Sequence, residues 1–346
     1  MSSSLRFAMI GCGVIAPTHA RCIEELPGAE LVAVCDVIPE KARALAEEFP
    51  AAVYSSCAEM FAGTAIDAVC VLTPSGLHAE VGIAAAQAGK HVLVEKPMDI
   101  TLERADALIN ACRAAGVKLG VISQHRFDPA LMALKQAVDE KRLGQLNFGG
   151  SQTKWYRSQA YYDSGDWRGT WALDGGGALI NQSIHYVDLL QYIMGPAEEI
   201  HAYTATRAHE RIEVEDIAVA AIKFRSGALG LLEGSTSAFP GFVARLDING
   251  SLGSVIIEND QVSEWRLRSG EPNPVAPADS GFIGGTSSKN IWHHSHRRQI
   301  ADFIAAIQEG REPLVSGEEG RKPLEIVLAV YESARTGKTV KLTGEA

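Results

Sequence analysis

A glycine-rich segment near the start of the chain has the residue types that bind a phosphate group. Gly11-Cys12-Gly13-Val14-Ile15-Ala16 has the form Gly-x-Gly-x-x-Ala and lies between the apolar run Phe7–Ile10 and the amphipathic stretch Val14–Leu26. Between a strand and a helix, such glycines permit a tight turn, and N–H groups at the helix N-terminus bind a pyrophosphate. We predict that a dinucleotide is bound by Gly11, Cys12, Gly13, Val14 and Ile15. The alternative is an ordinary glycine turn.

Asp36 indicates which dinucleotide binds. It ends the second apolar run, 20 residues after Ala16, where a carboxylate accepts hydrogen bonds from both ribose hydroxyls. The same carboxylate would repel a 2′-phosphate, and the next basic residue is Lys41. NAD is therefore predicted rather than NADP. A turn or helix-capping aspartate is the alternative.

Lys96 is a candidate proton carrier. It stands in Glu95-Lys96-Pro97, directly after the apolar run His91–Val94, and ligands of a doubly wound sheet bind at such strand ends. Beside a positively charged nicotinamide, a partly desolvated lysine favours its neutral form and can exchange a proton with a substrate hydroxyl. The alternative is a surface lysine whose stem lies along the strand end.

A second group of polar residues is spaced along a predicted helix. Asn181, His185 and Asp188 are at positions i, i+4 and i+7, so they share one helix face. Three glycines before them would allow a close approach to a ligand. We predict that His185 shares the proton transfer with Lys96 and that Asn181 orients the substrate hydroxyl. A core histidine bonded to Asp188 is the alternative.

The segment from Trp155 to Trp171 combines aromatic rings with arginines. Aromatic faces stack on sugar rings or bases, and guanidinium groups bind carboxylate or phosphate. We predict substrate contacts from Tyr156, Arg157, Trp167 and Arg168. This pattern suits a polar or anionic substrate; a subunit interface or an aromatic core is the alternative.

Composition excludes several other functions. The formal net charge of −10 argues against nucleic acid or a membrane as partner. All six cysteines lie in the first third without a Cys-x-x-Cys pair, which favours reduced thiols and a cytoplasmic location. No metal is expected, because His293, His294 and His296 have no further ligand at a suitable spacing.

The hydrophobic pattern predicts two domains of an α/β protein. Residues 1–123 alternate apolar runs with amphipathic stretches, as in a doubly wound parallel sheet. Its predicted strands are Phe7–Ile10, Leu31–Cys35, Ala68–Leu72, His91–Val94 and Lys118–Ile122, and its helices are Val14–Leu26, Pro39–Glu48, His78–Ala88 and Leu102–Ala115. Residues 124–346 are predicted to form an α/β domain with a large, mostly antiparallel open sheet and C-terminal helices that pack back on the body.

Three motifs in a fixed order resemble one family. Thr73-Pro74-Ser75-Gly76-Leu77-His78, Glu95-Lys96-Pro97 and the run from Gly175 to His185 are similar to the glucose–fructose oxidoreductase, inositol dehydrogenase and rhizopine-catabolism proteins (Gfo/Idh/MocA). The resemblance implies an N-terminal Rossmann domain, a cis peptide before Pro97, sugar or polyol substrates, and a homo-oligomer, dimer or tetramer, formed through the C-terminal sheet.

The resemblance also implies roles for individual residues. It implies cofactor contacts for Thr73, Pro74, Ser75, His78, Glu95, Lys96 and Gln124, and substrate contacts for Lys96, Arg126, Asn181 and His185. Many members have an aspartate, implicated in proton transfer, where Asn181 stands. An amide takes up no proton at neutral pH, so Lys96 and His185 would carry that step. The asparagine variant resembles branches that act at C3 of nucleotide-linked or acidic sugars.

Together these features predict an NAD-dependent oxidoreductase that transfers a hydride between nicotinamide and a secondary alcohol or ketone of a sugar derivative. One alternative is a non-catalytic NAD- and sugar-binding regulator of the same superfamily, and another is a dehydrogenase of a non-sugar diol. A regulator has no chemical need for two proton carriers. The presence of both Lys96 and His185 therefore favours the enzyme.

Overall fold

The computed structural model describes residues 4–276 and 293–342. The chain forms two compact units, which we describe separately. The first unit is built from the described residues of Met1–Gln124 and Ile291–Arg321, and the second from those of His125–Asn290 and Lys322–Ala346. The domain boundary predicted after residue 123, between an NAD-binding and a substrate-binding domain, stays a prediction.

The first unit contains a six-stranded parallel sheet with the order β3-β2-β1-β4-β5-β6. Its strands are β1 (Leu5–Ile10), β2 (Ala29–Cys35), β3 (Ala52–Tyr54), β4 (Ala68–Val71), β5 (His91–Val94) and β6 (Leu119–Val121). Its helices are α1 (Ala16–Glu24), α2 (Pro39–Glu48), α3 (Cys57–Gly63), α4 (His78–Gln87), α5 (Leu102–Ala115) and α9 (His293–Glu309). The strand order reverses direction beside β1, so the predicted doubly wound sheet is confirmed.

Burial explains why this sheet forms. All of β4 is buried, as expected for a parallel strand covered on both faces. Helix α9, far along the chain, contributes Ile300, Phe303 and Ile304 to the same core as Phe7 and Ile23. The apolar runs of the sequence indicated neither β3, which has three residues of which none is buried, nor α3, in which only Met60 is buried.

The second unit contains an eight-stranded mixed sheet with the order β13-β12-β11-β7-β10-β9-β8-β14. Its strands are β7 (Leu146–Lys154), β8 (Ala197–Ala205), β9 (Ile217–Phe224), β10 (Leu229–Ser235), β11 (Arg245–Gly250), β12 (Gly253–Glu258), β13 (Gln261–Leu267) and β14 (Val340–Lys341). Helices α6 (Pro129–Asp139), α7 (Gln159–Tyr162) and α8 (Ile184–Met194) also belong to this unit, and α10 (Gly317–Thr336) continues into it. Neighbouring strands are antiparallel except β7 and β10, so the predicted fold class is confirmed.

The two faces of this sheet differ in character. Along β9, buried and exposed residues alternate, as expected for a sheet covered on one face. Helix α8 lies close to the covered face, since a Cβ atom on Gly149 of β7 would be 2.7 Å from Cγ of Met194. Large apolar side chains on β7 to β10 stay exposed: Phe148, Tyr203, Val219, Leu229 and Leu231.

Within residues 4–276 and 293–342, none of the helices has the length and apolar character that a membrane crossing requires.

Candidate active site

The predicted glycine turn joins β1 to α1. Gly11 has a φ of +96°, and a Cβ atom there would be 2.6 Å from the carbonyl carbon of Leu72. Only glycine fits such a position without strain. A Cβ atom on Gly13, in contrast, would meet nothing within 4 Å. The turn is therefore packed at Gly11 against the backbone that follows β4 and open at Gly13, where the pyrophosphate is predicted to approach.

Asp36 holds this turn in place. Its Oδ2 accepts a hydrogen bond from Cys12 N at 2.8 Å, and its Oδ1 accepts one from Ile38 N at 2.8 Å. A carboxylate oxygen accepts more than one hydrogen bond, so these contacts leave acceptor capacity for ribose hydroxyls. The turn role and the predicted ribose role are thus compatible in one residue.

Two buried acceptors in the first unit fit a bound NAD. Among the described residues, the Thr73 hydroxyl and the Gln124 amide oxygen Oε1 are shielded from water and have no hydrogen-bond partner. An unsatisfied buried polar atom costs about 1–3 kcal/mol. The ribose hydroxyls and the carboxamide of NAD carry hydrogen-bond donors, and these two oxygen atoms could accept hydrogen bonds from them. Both residues were predicted as cofactor contacts.

The Lys96 backbone is supported by a buried anion. Glu95 Oε2 accepts a hydrogen bond from Lys96 N at 3.1 Å, and Glu95 Oε1 lies 2.8 Å from His19 Nε2 and 3.8 Å from His296 Nε2. Burial alone would raise the pKa of Glu95, but the hydrogen bond with His19 and the neighbouring His296 ring hold this pKa well below its ordinary value. The Glu95 side chain therefore supports Lys96, and its own cofactor contact stays a prediction. Nothing in the sequence pairs His19 with His296.

His78 connects two loops at the strand ends. Its Nδ1 lies 2.7 Å from Pro97 O, and its Nε2 lies 2.8 Å from Thr73 O. The buried ring thus joins the loop after β4, which carries Pro74 and Ser75, to the loop after β5. The peptide between Lys96 and Pro97 is cis, as the resemblance implied. Lys96 itself is half-buried.

In the second unit, the segment before His185 differs from the predicted regular helix. Residues Ala178–Ser183 form a π-helical turn, and α8 begins only at Ile184. The regular helix predicted around Asn181 is therefore corrected to a π-turn, which has more residues per turn than an α-helix, and the shared face of Asn181 and His185 stays a prediction. Both side chains are half-buried.

A buried carboxylate holds this π-turn. Glu215 accepts hydrogen bonds from Gly177 N at 2.9 Å, Leu179 N at 2.8 Å and the Tyr331 hydroxyl at 3.0 Å. Burial raises the pKa of Glu215 to about 7, because lost hydration outweighs these hydrogen bonds. A Cβ atom on Gly177 would be 1.8 Å from Glu215 O, so this position requires glycine. The glycine run was recognised in the sequence, but its carboxylate partner was not.

Asn181 is fixed by polar neighbours. Its Nδ2 donates to Asp174 Oδ1 at 2.5 Å, and its Oδ1 accepts from Gln182 Nε2 at 2.6 Å. Asp174 is buried. By the resemblance, many family members have an aspartate at the position of Asn181. Here the nearest carboxylate is that of Asp174, which is hydrogen-bonded to the Asn181 side chain. Sequence reasoning missed Asp174, which stands directly before the glycine run.

The aromatic and arginine segment connects to the same network. The Tyr161 hydroxyl accepts hydrogen bonds from Arg168 Nη1 at 2.7 Å and from Gln182 Nε2 at 2.9 Å. The Arg168 guanidinium lies 4.4 Å from the Tyr161 ring centroid and 4.5 Å from that of Trp167. Arg157 Nη2 donates to Gln182 Oε1 at 2.7 Å. Three of the four substrate contacts predicted in this segment, Arg157, Trp167 and Arg168, therefore lie in one cluster.

Two other predicted residues have different neighbours. The Tyr156 ring packs edge-on against Phe239, with centroids 5.2 Å apart. The fully buried Arg126 guanidinium binds both oxygens of Asp188, at 2.8 and 2.6 Å. This ion pair fixes Arg126 inside the second unit. Substrate contacts by Tyr156 and Arg126 stay predictions.

These features define a dinucleotide-binding unit with a lysine at its strand ends and a second unit with a polar, arginine-containing cluster. Residues 5–123 match the family described as "Oxidoreductase family, NAD-binding Rossmann fold", and residues 135–342 match "Oxidoreductase family, C-terminal alpha/beta domain". The chain belongs to this Gfo/Idh/MocA oxidoreductase family. The predicted family, the enzyme class acting on CH–OH groups and the cofactor NAD are confirmed.

Individual relatives are similar over nearly the whole chain. The WlbA dehydrogenase from Bordetella pertussis, solved with NADH and UDP-GlcNAcA, is 36% identical and covers 99% of this chain and 100% of its own, with a TM-score of 0.88. D-apiose dehydrogenase from Paraburkholderia graminis is 30% identical, with 97% and 89% covered. Inositol 2-dehydrogenase from Rhizobium meliloti (strain 1021) is 28% identical, with 98% and 99% covered.

Proposed function

We propose that this chain oxidises a secondary hydroxyl, or reduces the corresponding ketone, at C3 of a nucleotide-linked acidic sugar. The observation that carries the proposal is the environment of Lys96. It is half-buried directly after β5, its backbone is held by the Glu95 anion, and unsatisfied acceptors on Thr73 and Gln124 belong to the same unit. A proton carrier and a cofactor site are what hydride transfer from an alcohol requires.

When bound, NAD supplies the acceptor for the hydride that leaves the substrate carbon. In the proposed oxidation, Lys96 accepts the hydroxyl proton while the C–H bond breaks and the C=O bond forms. His185 shares this proton transfer, and Asn181 orients the hydroxyl through its amide. Asp174 and Gln182 fix the Asn181 side chain in advance, which lowers the entropic cost of orienting the substrate.

The arginine cluster supports the acidic substrate class. Arg157 and Arg168 both flank Tyr161, with their guanidinium carbons 5.5 and 4.4 Å from its ring centroid. Burial lowers the pKa of Arg157, so an anionic ligand nearby would stabilise its charge. The complex of the Bordetella pertussis relative with UDP-GlcNAcA agrees with a substrate that carries both phosphate and carboxylate.

A substrate panel tests the proposal. Purified protein with NAD would be monitored at the absorbance band of reduced nicotinamide with UDP-GlcNAcA, UDP-GlcNAc, free GlcNAcA, myo-inositol and D-apiose. NADH formation only with UDP-GlcNAcA is expected, and Arg168→Lys should weaken the preference for the acidic sugar. Turnover of inositol or apiose alone would contradict the substrate class. Tight NAD binding without turnover of any member would favour the regulator instead.

We also propose that the exposed face of the second unit's sheet joins copies of this chain. Large exposed apolar residues on neighbouring strands, such as Tyr203 and Leu229, are typical of protein interfaces. Light scattering would test this: Leu229→Glu should reduce the molar mass to that of the monomer. A cytoplasmic location is proposed as well, because all six cysteines lie in the described part of the chain and are free thiols.

A further inference from the structure

A second histidine lies directly against the proposed proton carrier His185. The rings of His125 and His185 are 5.1 Å apart between centroids and meet edge-on, with an angle of 81° between their planes. Both residues belong to the second unit. The sequence motif Gln124-His125-Arg126-Phe127 contains His125, but nothing in the pattern indicated a contact with His185.

His125 is held by two carboxylates. Its Nδ1 lies 2.8 Å from Asp128 Oδ2 and 3.1 Å from Asp260 Oδ1. The Tyr186 hydroxyl donates a further hydrogen bond to Asp260 Oδ1 at 3.1 Å. Two carboxylate oxygens at one ring nitrogen require that this nitrogen carries a proton.

The Asp260 carboxylate reaches His125 from a specialised turn. Asn259 and Asp260 form the tight connection between β12 and β13, and their φ angles are +51° and +63°. Positive φ values are uncommon for residues other than glycine, although Asn and Asp tolerate them. The hairpin thus ends in a residue whose side chain is an acceptor for both His125 and Tyr186.

The surrounding charges favour a protonated His125. Burial alone would lower the pKa of His125, but Asp260 and Asp128 outweigh burial and hold this pKa well above its ordinary value. Burial would raise the pKa of Asp260, yet the neighbouring His125 keeps this pKa below its ordinary value. Burial and Asp260 raise the pKa of Tyr186, so the phenol stays neutral. The cluster therefore holds one imidazolium and two carboxylates.

We propose that His125 is a positioning residue whose positive charge offsets the carboxylates of Asp128 and Asp260 and so keeps the adjacent His185 ring neutral. Two imidazolium rings at this distance repel each other, and the one bound to two carboxylates retains its proton. The inference rests on the proposed function, in which His185 takes part in proton transfer. Only a neutral His185 accepts a proton from a substrate hydroxyl.

The charges around His125 make the inference testable in two opposite directions. Asp128 and Asp260 both contact the Nδ1 atom of His125. The positive charge of His125 therefore offsets the effect of these two negative charges on the pKa of His185. Replacing His125 with glutamine leaves both carboxylates uncompensated and should raise the pKa of His185. Replacing Asp260 with asparagine removes one negative charge and should lower the pKa of His185. A loss of packing alone would not produce shifts of opposite sign.

The experiment is an NMR titration of the full chain with labelled histidine, in the absence of substrate and cofactor. His185→Asn and His125→Gln identify the two resonances by their disappearance. We expect His125→Gln to raise the pKa of His185 by roughly one pH unit or more, and Asp260→Asn to lower it by a smaller amount. His125 itself should titrate well above its ordinary value of 6.5. Asp139→Asn, an exposed carboxylate of α6 that is bonded to Lys135, serves as the matched control and should leave His185 unchanged.

Several results would overturn the inference: equal or absent shifts in His185, a His125 that titrates near pH 6.5, or a bound metal ion that EDTA removes together with the shift. Asp260 lies on a turn with its side chain 30% exposed, so Asp260→Asn decides the question if His125→Gln does not fold. Failure of the proposed function has a different signature. If His185→Asn keeps full turnover, His185 is not a proton carrier, whereas the titration shifts remain measurable.

Discussion

The two units hold their polar residues by different means. In the first unit, the key contacts run from side chains to nearby loop backbone: Asp36 to Cys12, His78 to Pro97, and Glu95 to Lys96. In the second unit, side chains bind one another, as in the network of Tyr161, Asn181 and Gln182. Backbone contacts tolerate changes elsewhere in the sequence. Side-chain networks change with each substitution, which suits a family that binds one cofactor and varied substrates.

The buried glutamate of each unit departs from this pattern, and the two glutamates differ in pKa. Glu95 is bonded to His19 and lies near His296, and its pKa is held well below the ordinary value. Glu215 is bonded to backbone N–H groups and a tyrosine, and its pKa is raised to about 7. Burial opposes ionisation in both cases, and only the imidazole partners of Glu95 outweigh it. The first unit therefore contains a buried anion, and the second a carboxyl group that titrates near neutral pH.

The largest expected effect is on stability, and it distinguishes the glycine run before the π-turn from the glycine turn after β1. Gly177→Ala should lower the free energy of unfolding by about 3 kcal/mol or more, because the added Cβ would meet the backbone of Glu215. Gly13→Ala, where the Cβ meets no protein atom within 4 Å, should leave stability unchanged and weaken NAD binding. Urea denaturation and NADH fluorescence titration measure the two effects. Equal destabilisation by both variants would remove the distinction between a packed and an open turn.

The pH dependence of stability tests the contrast between the glutamates. The folded-state pKa of Glu215, about 7, lies above its ordinary value of 4.5, so the folded state binds this proton more tightly. The contribution of Glu215 to stability is present below pH 4.5 and is lost as the pH rises through 7, by about 3 kcal/mol. Glu95, with a lowered pKa, contributes in the opposite direction, and its contribution is lost as the pH falls.

Denaturation of wild type and Glu215→Gln at several pH values from 5 to 8 measures this effect. The difference in unfolding free energy between the two proteins should change in favour of the variant as the pH rises. The exposed Glu210→Gln serves as control and should follow the wild type. A difference that is constant with pH would show that Glu215 does not titrate in this range.

The next effect concerns chemistry rather than stability. Lys96→Met should lower turnover about 100-fold or more and preserve NAD binding, because Asp36, Thr73 and Gln124 remain. Steady-state NADH formation and calorimetric NAD titration measure the two properties. Lys338→Met, an exposed lysine after α10, is the matched control. Unchanged turnover in Lys96→Met would contradict the role of this lysine.

The smallest expected effect concerns cofactor choice. Asp36→Ala should weaken NAD binding roughly tenfold more than NADP binding, since the variant loses ribose hydrogen bonds to NAD and also a repulsive charge toward the 2′-phosphate. Dissociation constants for both cofactors, compared with those of wild type, measure the change. Equal losses for the two cofactors would mean that Asp36 acts only through its bonds to Cys12 and Ile38.

Much of the first unit could be predicted because its signals are local. The bounds of α2, α5 and β5 agree with the predicted Pro39–Glu48, Leu102–Ala115 and His91–Val94. The glycine turn and Asp36 lie within one strand–helix–strand segment, so their spacing alone indicated a dinucleotide. In the second unit, the helix type around Asn181 was not predictable from spacing, since Glu215 decides where the N–H groups of the π-turn bind.

The sequence by itself therefore determined the fold class, the cofactor and the two candidate proton carriers, because periodicity and short motifs act between residues close in the chain. Only the tertiary structure decided how those residues are supported. His19 meets Glu95 across 76 positions, Asp260 meets His125, and Glu215 meets Gly177 across 38 positions. Such partners depend on how strands and helices pack, and a hydrogen bond between distant side chains leaves no spacing pattern in the sequence.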